Sequence, residues 1–223
     1  MPQTRFQDRR SAGRLLGQAL RGHAADAPLV LGLPRGGVPV AFEIASALGA
    51  PLDVWVVRKL GVPFQPELGM GALAEGPALY LDRELIAQLG LGDEQVLAVA
   101  RREQMELERR VARFRRGAPP PDVRGRTVIV VDDGIATGGT TRAAIEGLRA
   151  RGAGRVVLAV PVASPDVIDR FRSVADEVVC LAMPRHLMAI GAWYDDFRQV
   201  SDEQVLDLLE AARERREGAP PPP

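Results

Sequence analysis

Residues 128–141 read Val-Ile-Val-Val-Asp-Asp-Gly-Ile-Ala-Thr-Gly-Gly-Thr-Thr, and they constrain this chain more than any other stretch. Four apolar residues in a row describe a strand buried on both faces, as in a parallel sheet covered by helices. Two acids, Asp132 and Asp133, stand at its carboxyl end, and a turn of glycines and threonines then opens a helix over 139–151. Glycines let backbone N–H groups approach an anion, and a helix N-terminus adds about half a positive charge. Thr137, Thr140 and Thr141 add hydroxyl donors. The turn Ala136, Thr137, Gly138, Gly139, Thr140, Thr141 therefore suits a phosphate monoester. The two acids would repel a phosphate; they suit sugar hydroxyls or a metal. The spacing is neither that of a phosphate-binding GxxxxGK[ST] loop, since no lysine is present, nor that of the dinucleotide fingerprint GxGxxG.

The rest of the chain supplies the matching rhythm. Asp8 is a plausible N-cap for an amphipathic helix carrying Ala12, Leu15, Leu16, Ala19 and Leu20. A strand over 28–33, a helix over 38–48 and a second strand over 52–57 make a βαβ unit, which implies parallel strands. Residues 60–81 break that rhythm with Gly61, Pro63, Pro66, Gly69, Gly71 and Gly76, and end in a short strand over 78–81. An insertion of this length within a domain is often an active-site cover. A charged helix follows over 93–116. Strand and helix then alternate: 127–131, 139–151, 155–160, 165–172 and 177–181. A last helix spans 202–217 with Ser201 as its cap, and 219–223 is a frayed, disordered tail. The sum is one α/β domain over 1–218: a doubly wound, mostly parallel sheet of five strands, whose ligands bind at the carboxyl ends of the strands.

Composition narrows the function classes. Lys and Arg together number 29, matched by 29 Asp and Glu, so whole-chain charge shows no nucleic-acid footprint. No apolar run approaches the ~20 residues that span a bilayer, so no membrane partner is expected. Cys180 is the only cysteine and cannot form an intrachain disulfide, which points to a reducing, cytoplasmic setting. It reads as inert core, and His23 and His186 lack a metal-ligand pattern. Lys59 is the only lysine among the 29 basic residues, so a compact ammonium stands alone in an arginine-rich chain.

The 128–141 segment resembles the 5-phosphoribosyl-1-pyrophosphate (PRPP) signature of the type I phosphoribosyltransferases: four apolar residues, two acids, Gly, a variable pair, Thr-Gly-Gly-Thr. Other segments are similar to the same family over about residues 25–200. Gly32-Leu-Pro-Arg35-Gly36-Gly37 looks like its pyrophosphate loop, where the resemblance implies a cis peptide between Pro34 and Arg35. Arg58 and Lys59, ending the second strand, would join Arg35, Gly36 and Gly37 on pyrophosphate. The insertion 60–81 occupies the place of the family's flexible lid. Within it, residues 66–76 resemble a poorly characterised bacterial subgroup, with Glu67 and Glu75 facing the site or holding the lid's shape. Residues 183–200 would form a hood over a nucleobase, with Ile190, Trp193 and Tyr194 as stacking candidates and Asp195 as its acid.

The resemblance implies transfer of the phosphoribosyl group from PRPP to a nitrogen acceptor, with a purine or related base as first guess, within nucleotide and nucleoside metabolism. Asp132, Asp133, Arg35 and Lys59 would carry catalysis. Mg²⁺ would be held mainly by PRPP, with no direct protein ligand and with Asp132 and Asp195 reaching it through water. A homodimer is also implied. The alternative is a non-catalytic PRPP-binding regulator.

Overall fold

The protein is described by a computed structural model covering residues 5–76 and 78–217, with the side chains of Glu67 and Ala78 excepted. The tail expected over 219–223 lies outside the described residues.

Helix α1 (Arg9–Ala19) starts at Asp8, whose carboxylate accepts the Ser11 N–H while the Ser11 hydroxyl accepts the Asp8 N–H. This reciprocal pair satisfies two donors that a helix start otherwise leaves open. Then come β1 (Leu29–Gly32), α2 (Gly37–Leu48) and β2 (Leu52–Val54). After an inserted region the alternation resumes with β6 (Thr127–Val131), α5 (Gly139–Ala150), β7 (Arg155–Val162), α6 (Pro165–Phe171) and β8 (Glu177–Ala182), and α7 (Asp202–Glu217) ends it. At α7 the Ser201 hydroxyl accepts from Gln204 N–H at 3.2 Å and Gln204 Oε1 accepts from Ser201 N–H at 2.8 Å, the cap the sequence predicts.

Strands β2, β1, β6, β7 and β8 form one five-stranded sheet in that order, all neighbours parallel. The chain winds outward from β1 to β2, and in the opposite direction from β6 to β8. The order therefore reverses between β1 and β6, and the carboxyl ends of those two strands flank the crevice where such sheets bind ligands. Alternation within the strands fills two cores. Val30, Ile129 and Val131 pack towards α2 and α7; Leu31, Val128 and Val130 pack towards α5 and α6. Both faces being covered explains the unbroken apolar runs.

The insertion is more regular than its glycines and prolines suggest. Residues 57–81 form a second, antiparallel sheet of β3 (Val57–Val62), β4 (Gln65–Ala74) and β5 (Ala78–Leu81). It is followed by α3 (Arg83–Gln88) and by α4 (Asp93–Arg115). One face of this sheet packs Leu60, Val62 and Met70 against Val96, Val99 and Leu107; the other packs Val57, Ala72 and Ala74 with Ile145 and Leu148 of α5. The expected strand 52–57 is thus two strands. It leaves the parallel sheet after Trp55, whose N–H still reaches Gly32 O at 3.1 Å, while Val56 N–H turns to the Glu75 carboxylate at 2.9 Å. Among the described residues no helix is long and apolar enough to cross a membrane.

Candidate active site

The carboxyl end of β6 delivers Asp132 and Asp133 to the switch-point crevice, and the turn that follows delivers the start of α5. Gly138 caps that helix at φ +86°, and no side chain caps its first turn. A side chain at Gly138 would also meet the Phe171 ring at 2.7 Å, so conformation and space both require glycine there. The first-turn amides are then directed at an incoming anion. Thr137, Gly138, Gly139 and Thr140 line a cavity of about 390 Å³, and Lys59 and Tyr80 of the antiparallel sheet line its other side. Arg142 stands at its edge, its guanidinium 5.0 Å from the Tyr80 ring. Ala136 is exposed beside this turn, and Thr141 is buried beneath it.

Across the crevice, the loop after β1 crosses close to the acids. Leu33 N–H donates to Val131 O at 2.8 Å and Gly37 N–H to Leu33 O at 3.0 Å. The Pro34–Arg35 peptide is cis. A side chain at Gly36 would collide with the Asp133 carboxylate, and one at Gly37 would come within 2.5 Å of Val131 O. The two glycines are what lets the loop and the acids share this space. The Arg35 side chain, partly exposed, lies 3.7 Å from Asp202 at the start of α7.

The acids are short of compensation. Burial pushes the Asp132 carboxyl well above the ordinary carboxylate range, and the neighbouring Asp133 charge adds to this. The Asp133 N–H donating to Asp132 Oδ1 at 2.9 Å opposes it. Burial also raises Asp133, and Arg9 opposes that rise: its Nε donates to Asp133 Oδ2 at 2.7 Å. Two like charges in a desolvated crevice form an electrostatic arrangement made to receive hydroxyl donors or positive charge. The donor set fits a magnesium ion held chiefly by a ligand's oxygens, because Mg²⁺ takes oxygen ligands and retains much of its water. Among the described residues no group of three or more His, Cys, Asp or Glu could cage a metal.

Several expected site residues are elsewhere. Arg58 does not join Lys59 on the crevice: its Nε and Nη2 both donate to Glu103 Oε2 on α4, at 3.0 and 2.6 Å. Adjacent strand residues point to opposite faces, so only one of the pair can face the turn. Glu75 does not face the site either. It is buried, paired through both carboxylate oxygens with Arg115 at 2.9 and 3.0 Å, and holds the base of the insertion. Glu67 lies on β4, and its side chain is outside the described residues.

In the hood, Ile190 packs over Gly134. Trp193 and Tyr194 are buried in a small core with Phe6 and Ala12, so they serve packing before any stacking on a base. Tyr194 sits against the rings of Phe6 at 5.5 Å and Phe197 at 4.9 Å, and its hydroxyl donates to Asp133 O at 2.6 Å. Asp195 is exposed and lies 3.7 Å from Arg5. Cys180 is half-buried in β8, its thiol pushed up to about 11 by burial, as an inert core residue would be. Sequence reasoning missed Arg9 and the Tyr194 hydroxyl. Neither has a local signal, because both reach the acids from distant segments.

The phosphoribosyl transferase domain model matches residues 6–186. The chain is similar to two Mycobacterium tuberculosis proteins provisionally named phosphoribosyl transferases, MT0597 of strain CDC 1551 and Rv0571c of strain H37Rv. Each is 51% identical over 207 residues, covering 93% of this chain and 47% of the relative. The chain thus spans about half the length of these curated relatives. Among solved structures it is similar to TT1426 from Thermus thermophilus, at 46% identity and a TM-score of 0.79, covering 92% of this chain and 97% of that one.

Proposed function

Because the chain belongs to the phosphoribosyl transferase family, we propose that it transfers the 5-phosphoribosyl group of PRPP to a nitrogen acceptor, a nucleobase as first choice, with release of pyrophosphate. The observation that carries this reading is the crevice between β1 and β6, where a buried acid pair, with Arg9 on Asp133, lies between an uncapped helix start and a glycine loop.

Each part then has a task. The turn 136–141 anchors the 5-phosphate through amides and threonine hydroxyls. Asp132 and Asp133 accept hydrogen bonds from the ribose hydroxyls. Their negative charge also favours the ring as the C1–O bond to pyrophosphate breaks and positive charge grows on C1, before the C1–N bond forms. Arg35 and the amides of Gly36 and Gly37 receive the departing pyrophosphate, and Lys59 supplies a cation from the insertion side of the cavity. The acceptor nitrogen loses its proton to a nearby base, a task that suits Asp133. Ile190, on the hood side of Gly134, offers the acceptor an apolar surface. Mg²⁺, bound through PRPP, supplies positive charge to the leaving group.

The test is pyrophosphate release by the purified protein with Mg²⁺ and PRPP, across purine and pyrimidine bases and without any base. Release that depends on one base names the acceptor, and loss in Asp132→Ala and Asp133→Ala ties it to this crevice. Binding of PRPP without release under any acceptor would replace the transferase reading by that of a PRPP-binding regulator.

A further inference from the structure

Asp133 is gripped from outside the sheet that carries it, and both contacts come from one module. Arg9 Nε donates to its carboxylate at 2.7 Å, and the Tyr194 hydroxyl donates to its main-chain carbonyl at 2.6 Å. Arg9 opens α1 and Tyr194 follows the 3-10 turn Ile190–Trp193. These two segments are joined along their backbones: Phe6 N–H to Trp193 O at 2.8 Å, Asp195 N–H to Phe6 O at 2.9 Å and Asp196 N–H to Gln7 O at 2.9 Å.

The Arg9 guanidinium is itself immobilised. Nη1 donates to Arg198 O at 2.8 Å, and the group lies 3.8 Å from the centre of the Phe197 ring, which in turn stacks on Tyr194. Its side chain is only 11% exposed and that of Asp133 13%. A surface arginine pays side-chain entropy for an ion pair and gains little. One already fixed by a ring, a carbonyl and burial loses less, and its N–H direction determines where the carboxylate points. Gly36 closes on the same carboxylate, nearer to Oδ2 than to Oδ1.

We infer that Arg9 is a positioning residue for the acid pair. By holding Asp133 Oδ2, it aims the other carboxylate oxygen at a ribose hydroxyl, and it makes residues 5–9 and 190–198 one clamp on the sugar subsite. This inference rests on the PRPP reading of the crevice. It gives the N-terminal helix a part in ligand selection that no motif near Arg9 announces. The chemistry predicts a selective effect: an aimed carboxylate distinguishes a sugar hydroxyl from a hydrogen atom, whereas the phosphate turn is blind to it.

The experiment measures affinities of ribose 5-phosphate, its 2-deoxy and 3-deoxy forms, and inorganic phosphate, for the wild type, Arg9→Met and Arg9→Lys. In the wild type, ribose 5-phosphate should bind tighter than at least one deoxy form. In Arg9→Met that preference should fall about tenfold, the worth of one hydrogen bond to a charged group. Inorganic phosphate should bind as before, and Arg9→Lys should recover part of the preference. An undiminished preference in folded Arg9→Met overturns the positioning role and leaves the PRPP reading intact. A wild type that shows no preference among the three sugars overturns the sugar subsite, and the role of Arg9 with it. Should Arg9→Met fail to fold, Phe197→Leu keeps the charge but removes the stacked ring. An intermediate loss of preference supports the role, and an unchanged preference contradicts it.

Discussion

The parallel sheet and the antiparallel sheet both pack on α5, yet they treat charge in opposite ways. In the central strands β1, β6 and β7 of the parallel sheet the interiors are apolar, and charges gather at the carboxyl end of β6, where Asp132 and Asp133 sit side by side with Arg9 as the cation on the pair. Around the base of the antiparallel sheet the buried charges are matched. Arg115 of α4 serves Glu75 through two nitrogens, and Asp53 at 2.9 Å and Val54 O at 3.0 Å on β2, and Arg58 of β3 serves Glu103 of α4. Fully matched charges hold a shape; like charges left desolvated in a crevice store the potential that binds a ligand. Under the proposed function, the contrast makes the insertion architectural, with Lys59 as its contribution to chemistry, and the β1–β6 crevice the seat of the reaction.

The largest way to break the matched side is Arg115→Met. It leaves buried Glu75 and partly buried Asp53 without their cation and should cost about 3–5 kcal/mol of stability by urea denaturation. Arg109→Ala, which breaks an exposed pair with Glu106 on α4, should leave the denaturation midpoint unchanged. The next largest effect should come from Lys59→Met, which should slow pyrophosphate release about 100-fold with an unaltered denaturation midpoint. If it instead unfolds the insertion, Lys59 is architecture too and the division fails. Thr140→Val should weaken PRPP binding about tenfold by calorimetry, the loss of one hydroxyl donor to a charged group.

The smallest effect has the opposite sign. Burial raises the folded-state pKa of Asp132 above its unfolded value, so the folded state holds the proton more tightly and stability falls as pH rises through that window. Asp132→Asn should therefore be more stable than the wild type by about 1 kcal/mol at pH 7. That gain should vanish below about pH 4, where the acid is protonated in both states. Melting temperatures across pH measure it; a destabilised Asn variant at neutral pH would show that Asp132 is structural.

What could be read in the sequence follows the range of the interactions. The strand, the acids and the turn of 128–141 are contiguous, so their pattern survives without knowledge of the fold. The insertion is different. Gly61 and Gly71 look like breakers, yet they sit inside strands where another backbone passes: a side chain there would collide with the carbonyl of Pro66 or that of Tyr80. Register shifts around Gly61 further blur the two-residue alternation that marks a strand. Trp193 and Tyr194 read as a stacking platform because aromatic residues near a site suggest one; their burial depends on Phe6, near the other end of the chain. Arg9 was illegible for the same reason, since its meaning lies wholly in a partner across the sequence.

A crystal structure with PRPP and Mg²⁺ tests the central claim most directly. The expected result is the 5-phosphate on the amides and threonine hydroxyls of 136–141, the ribose hydroxyls on Asp132 and Asp133, and the pyrophosphate at Arg35, Gly36 and Gly37. PRPP bound with its ribose away from the two acids, or the turn 136–141 left without phosphate, would contradict it.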